Sequence, residues 1–305
     1  MTTRVILDTD IGTDVDDFVA LALILTSPEF ELEGVSCVYG NVLLRARMVC
    51  KMLSLRHRQN VPVYLGAGPS LLGLRPVYWG GHEGKGFLTQ EDDAFQPEVE
   101  HSVNYIVRKV MENPGQIHLI AIGPLTNIAL AFSLEPRLAE NLAHLTIMGG
   151  VFRYNNRFDF PLVEHNIRCD PEAAHIVFSS GAPITLVPLD VTLLTKAKKA
   201  DIERIRSGGS YFHQAVAAQL SVYPFFVEHG WTCMHDPLAI ASIIRPDLLI
   251  FKEYFVRVEM DGRMSTAVTL ADAPTKENPA NMRVAVDVDA PRFVDFLTGT
   301  ISCAD

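Results

Sequence analysis

The 305-residue sequence has no Cys-x-x-Cys pair, and its five cysteines (Cys37, Cys50, Cys169, Cys233 and Cys303) are scattered and odd in number. That pattern argues against a disulfide framework or a thiolate metal cluster and predicts reduced thiols in a cytoplasmic protein. No block of lysine or arginine stands anywhere, and the net charge is −10. A nucleic-acid polymer or an anionic membrane is therefore a poor partner, and a small neutral substrate fits better. No apolar run reaches the length that spans a bilayer. The chain starts on a strand-like segment, Arg4 to Leu7, without a basic-then-apolar leader. Linkers, internal repeats and low-complexity tracts are absent too, so one domain over residues 1–305 is expected.

What the chain does contain is a regular alternation. Apolar strand-like runs at 5–9, 32–38, 61–65, 117–122, 144–148 and 184–187 are separated by helical patterns at 14–26, 44–56, 100–111 and 125–132. A further helix is expected after Asp170-Pro171, since Asp is a natural N-cap and Pro suits the first helical position. Later strands at 251–260, 266–270 and 284–288 suggest an antiparallel hairpin, and a helix near 292–298 closes the chain. The pattern predicts an α/β fold with a mostly parallel, mixed central sheet flanked by helices. Segments 66–97 and 149–167 are long for loops, which usually marks function.

The most informative stretch is Asp8-Thr9-Asp10-Ile11-Gly12-Thr13-Asp14-Val15-Asp16-Asp17, with five carboxylates in ten positions directly after the first strand. Ionised side chains about 4 Å apart repel by roughly 4 kcal/mol per pair at an effective dielectric near 20. Flanking apolar runs make free solvation a poor escape, and capping a helix needs one acid rather than five. Strand ends of open α/β sheets are also where ligands bind. A bound cation answers the crowding, and a set of oxygen donors with no nearby His or Cys selects a hard ion such as Ca²⁺ or Mg²⁺. An EF-hand loop is excluded, because counting from Asp8 its sixth and twelfth positions are Thr13 and Val19. A metal-dependent phosphatase of the haloacid-dehalogenase type is disfavoured by Gly12, which stands where that motif wants Thr or Val.

Four other segments place polar residues where parallel strands or loops end. These are Gly40-Asn41, the 120–127 run through Gly123-Pro124, Glu164-His165-Asn166, and His235-Asp236-Pro237 before an apolar helix. Together with Asp8-Thr9-Asp10-Ile11-Gly12, Asp16-Asp17, Met148-Gly149-Gly150 and Asp170-Pro171-Glu172-Ala173-Ala174, they resemble the inosine-uridine preferring nucleoside hydrolase family. These motifs run in that family's order over nearly the whole chain.

The resemblance implies the nucleoside hydrolase fold, a tightly bound Ca²⁺, a homodimer or homotetramer, and ribonucleoside N-ribohydrolase activity that yields ribose and free base. It implies Asp10 as general base on a metal-bound water and as metal ligand, with Asp17, Asp236 and the backbone carbonyl of Ile122 as further ligands. Asp16, Asn41, Glu164 and Asn166 fall where the family holds ribose hydroxyls and water. His235 falls on the position that protonates the leaving base, and His82 on a histidine near the base. Asn156 matches an Asn on the 5′ side of the ribose, with Asn155 as the alternative. Two extra residues between Gly12 and Asp16-Asp17 leave Asp14 competing with Asp16 for the sugar. Trp231 is expected to stack on the base, ahead of Phe225, Phe226 and His229. The rival function is a catalytically silent nucleoside- or ribose-binding protein on the same scaffold.

Overall fold

The structure, a computed structural model, describes residues 2–153 and 158–304. Its first half alternates as expected. Strand β1 (Thr3–Thr9) leads to α1 (Asp16–Thr26), β2 (Phe30–Cys37), α2 (Val42–Leu55) and β3 (Val63–Leu65). After a long loop come α3 (Ser102–Glu112), β4 (Ile117–Ala121), α4 (Thr126–Leu134), α5 (Leu138–Asn141) and β5 (His144–Met148). Then follow α6 (His165–Cys169), α7 (Pro171–Phe178) and β6 (Ile184–Val187).

The next stretch is denser than the sequence suggests. Helix α8 (Leu189–Thr192), β7 (Lys196–Lys198), α9 (Lys199–Arg206), α10 (Tyr211–Val222), α11 (Pro224–His229) and β8 (Trp231–Cys233) precede α12 (His235–Ile244). The chain ends with β9 (Leu249–Val258), β10 (Thr269–Asp272), β11 (Met282–Val288) and α13 (Ala290–Ser302).

Nine strands form one sheet in the order β10-β9-β11-β6-β5-β4-β1-β2-β3, while β7 and β8 pair separately. From β11 to β3 every pairing is parallel, and β9 runs antiparallel to both β11 and β10. The sheet is therefore mixed and mostly parallel, and the expected hairpin is β9–β10. Strand β10 begins at Thr269 rather than 266 because residues 262–267 turn, with Ala267 at φ +72°. Period-two alternation divides the core between the two faces of the sheet. Val5 and Leu7 of β1 join one buried cluster with α1, α2, α10 and α12, while Ile6 joins the other with α3, α4 and α7. Helix α1 is buried from Asp16 to Leu25, as a helix apolar on all sides must be. Among the described residues no helix is long and apolar enough to cross a membrane.

Candidate active site

The carboxyl ends of β1, β4 and β5 open on one cavity of about 610 Å³. Asp10 is the first residue beyond β1, Ile122 the first beyond β4, and Met148 the last of β5; all three line it. Helix starts complete the floor: Asp16 and Asp17 open α1, Asn166 lies in α6, and His235 and Asp236 open α12. Tyr78 and His82 of the 66–97 loop and Tyr223, Phe225 and Glu228 near α11 form further walls.

Two glycines make this geometry possible. Gly12 turns the chain with φ +116°, a region that L side chains rarely adopt, and a Cβ there would fall 2.9 Å from the sulfur of Met48. A Cβ on Gly123 would stand 2.8 Å from Asp10 Oδ1, so only glycine lets that carboxylate approach the β4 turn. The helix expected from residue 14 starts at Asp16 instead, because Asp14 remains in the turn and accepts a hydrogen bond from Val15 N at 2.7 Å.

Asp10, Asp16, Asp17 and Asp236 are all buried. Carboxylate oxygens of Asp16, Asp17 and Asp236 lie within 4.8 Å of one another, a group that could hold a metal ion. This trio includes Asp16, expected on the sugar, and lacks Asp10, expected on the metal. Burial pushes all three upward in pKa, and repulsion from neighbouring carboxylates, Asp10 and Asp14 among them, adds to it. The backbone N of Asp236 donates to Asp16 at 3.1 Å, and the Thr9 hydroxyl donates to Asp17. Asp10 is also pushed up by burial, against the opposing charge of Arg45, whose guanidinium is 4.0 Å from its Oδ2. Asp8 does not reach the cavity. It accepts from Asn127 at 2.8 Å, and burial pushes it up to about 7.

The remaining expected site residues divide into two sets. Glu164 caps α6, accepting from the backbone N of Asn166, Ile167 and Gly150 at 2.7, 3.0 and 3.1 Å. Burial raises this carboxyl while those three amides oppose the rise. Asn166 donates to the carbonyls of Ile122 and Met148 at 2.9 and 3.2 Å. That first bond occupies one lone pair of the Ile122 carbonyl and leaves the other. His235 Nδ1 is 2.7 Å from the hydroxyl of Thr192, and burial pushes its imidazole down. His82 lines the cavity with Nε2 2.9 Å from the carbonyl of Thr13.

Asn41 and Trp231 are not brought in. Asn41 is exposed and caps α2 by accepting from Leu44 N at 3.1 Å. Trp231 packs edge-on against Phe225, with Lys196 Nζ 3.8 Å from its ring centroid, so Phe225 and not Trp231 meets the cavity. Asn156 and its alternative Asn155 lie outside the described residues. Sequence reasoning missed Tyr78, Tyr223, Glu228 and the partner Thr192, which sit in segments without a periodic pattern.

Fit to a cation can be judged from the donors. Three buried carboxylates with oxygens within 4.8 Å of one another, and with Arg45 as the nearby buried cation, leave negative charge that a hard divalent ion would neutralise. Histidine and cysteine contribute nothing to that group.

Similarity to known proteins agrees with this architecture. The model of the inosine-uridine preferring nucleoside hydrolase family matches residues 5–295. The pyrimidine-specific ribonucleoside hydrolases RihA of an Enterobacter species and of Salmonella arizonae are each 35% identical, over 97% of this chain and 97% of theirs. Among solved structures, a plant nucleoside hydrolase, PpNRh1, superposes with a TM-score of 0.88 at 29% identity, covering 99% of both chains. The purine-preferring ribonucleoside hydrolase from Gardnerella vaginalis gives 0.88 and 29% over 98% of both. A match of that extent, in sequence as in fold, means that the chain belongs to the inosine-uridine preferring nucleoside hydrolase family and is a nucleoside hydrolase by that membership.

Proposed function

We propose that the protein hydrolyses the N-glycosidic bond of ribonucleosides to ribose and free base, with Ca²⁺ as its cofactor. The observation that carries this is one cavity with Asp10, Asp16, Asp17 and Asp236 in its floor and His235 in its wall. Asp16, Asp17 and Asp236 would hold the ion, with Asp10 and the Ile122 carbonyl alongside. When bound, calcium supplies orientation of a water and of the ribose diol, and modest Lewis acidity.

The chain's own residues do the rest. Asp10 takes the proton of the attacking water while the water oxygen bonds to C1′ and the C1′–N bond breaks. Asp14 or Asp16, Glu164 and Asn166 align the ribose hydroxyls, which converts binding into orientation. Crowded carboxylates beneath the ring favour a sugar that becomes positive, a stabilisation realised in the transition state. The departing nitrogen carries the electron pair of the broken bond and needs a proton. His235, whose Nδ1 faces Thr192, donates it from Nε2. His82, Tyr223 and Phe225 wall the space left for the base.

The test follows free base and reducing sugar from inosine and uridine, with p-nitrophenyl phosphate assayed in parallel. Turnover of a ribonucleoside with an intact phosphate ester is the expected result. Nucleoside binding without turnover selects the silent binding protein, and phosphate release selects the phosphatase.

A further inference from the structure

Arg45 is wholly buried, and among the described residues no other arginine or lysine is. Burying a guanidinium is costly unless its donors are satisfied, so its partners are informative. Nε donates to the Tyr39 carbonyl at 2.6 Å, and one terminal nitrogen donates to the Ile11 carbonyl at 2.8 Å. The other donates to the Thr13 hydroxyl at 3.0 Å and stands 4.0 Å from Asp10. The carbon of the guanidinium is 5.2 Å from the Trp79 ring centroid.

These partners belong to three segments that meet nowhere in the sequence. Ile11 and Thr13 flank Gly12 in the turn after β1, Tyr39 follows β2, and Trp79 belongs to the 66–97 loop that also brings Tyr78 and His82 to the cavity. Tyr39 has φ +67°, a left-handed conformation that is strained for a non-glycine residue. Its carbonyl is held by Arg45, and its hydroxyl accepts from Tyr78 N at 2.7 Å. Met48, one turn further along α2, packs against Gly12. Arg45 itself does not line the cavity.

We propose that Arg45 is a positioning residue of the hydrolytic site: its guanidinium ties the 10–13 turn to the end of β2 and thereby fixes where the Asp10 carboxylate stands. This rests on the reading of the cavity as a ribonucleoside hydrolase site. Lysine would keep the charge but not the function, because three donors on a single nitrogen cannot span Tyr39, Ile11 and Thr13 as a planar fork does.

The test is steady-state kinetics of R45K and R45G on a ribonucleoside that the wild type hydrolyses, with folding checked by circular dichroism. R45K is expected to fold, to hold KM within about threefold and to lose kcat about tenfold or more, about 1.4 kcal/mol in the barrier. Folded R45G is expected to regain kcat with guanidinium at sub-denaturing concentration and not with ammonium, because only the planar fork spans the three acceptors. Should R45G fail to fold, R45K decides alone. A wild-type kcat in R45K, a loss confined to KM, or a folded R45G that guanidinium leaves unrescued overturns the proposal. A wild type that releases no base from any ribonucleoside overturns the underlying reading, and this inference with it.

Discussion

Asp8 and Asp10 lie two positions apart, yet the structure puts them to different uses. Asp8 turns into the sheet to meet Asn127, whereas Asp10 passes the strand end and opens on the cavity. In a continuous strand, residues two apart share a face; the two acids part because β1 stops at Thr9 and the Gly12 turn begins. The pair His235-Asp236 was legible, as a polar couple before an apolar helix. Arg45 was not. Nothing in Leu43-Leu44-Arg45-Ala46-Arg47 separates Arg45 from Arg47, which is half-buried and pairs with the largely exposed Asp93. At this scale His235 gives a sharp prediction. His235→Ala should lose more activity on inosine than on p-nitrophenyl riboside, whose leaving group departs as a stable anion and needs no proton. Equal losses on the two substrates, measured by steady-state kinetics, would remove His235 as the acid.

Elements with strong apolar alternation were readable, and β1, β2, β4, β5 and β6 stand close to where the sequence predicts them. The segment between β6 and α12 was not, for a physical reason. Strands β7 and β8 have three residues each, too few for a period to stand out in the sequence. Strand β4 also carries an unusual burden in His118. Its Nε2 is 2.8 Å from the Thr146 hydroxyl on β5, and the His144 ring is 5.1 Å away. Burial lowers its pKa from 6.5 to about 3, so the folded protein holds the ring neutral. An unfolded chain takes up the proton first as pH falls. The stability tied to the neutral ring is therefore complete above pH 6.5 and is lost as pH falls toward about 3, at up to about 1.4 kcal/mol per pH unit. His118→Gln, which keeps a partner for Thr146 and does not titrate, should flatten the fall in unfolding midpoint between about pH 7 and about pH 5. Parallel slopes for wild type and variant would contradict this.

On the scale of the molecule, the parallel strand order is what assembles the site. Residues 10, 122 and 148 are far apart in the chain, but β1, β4 and β5 are neighbours in the sheet and end on the same side. Helix α12 then packs along α1 and brings Asp236 to Asp16, 220 positions away. The sequence announced the acids and their chemical type. It could not announce which of them would meet, since that depends on sheet order and on the packing of two buried helices. The resulting floor of carboxylates carries the proposed function, in which Asp10 is the group proposed to receive the water's proton. Removing that basicity while keeping shape is the most direct test. The measurement is kcat for base release from inosine or uridine by wild type and by Asp10→Asn at saturating calcium. Asp10→Asn should fold and lose kcat by several orders of magnitude; turnover near the wild-type rate would remove Asp10 as the base.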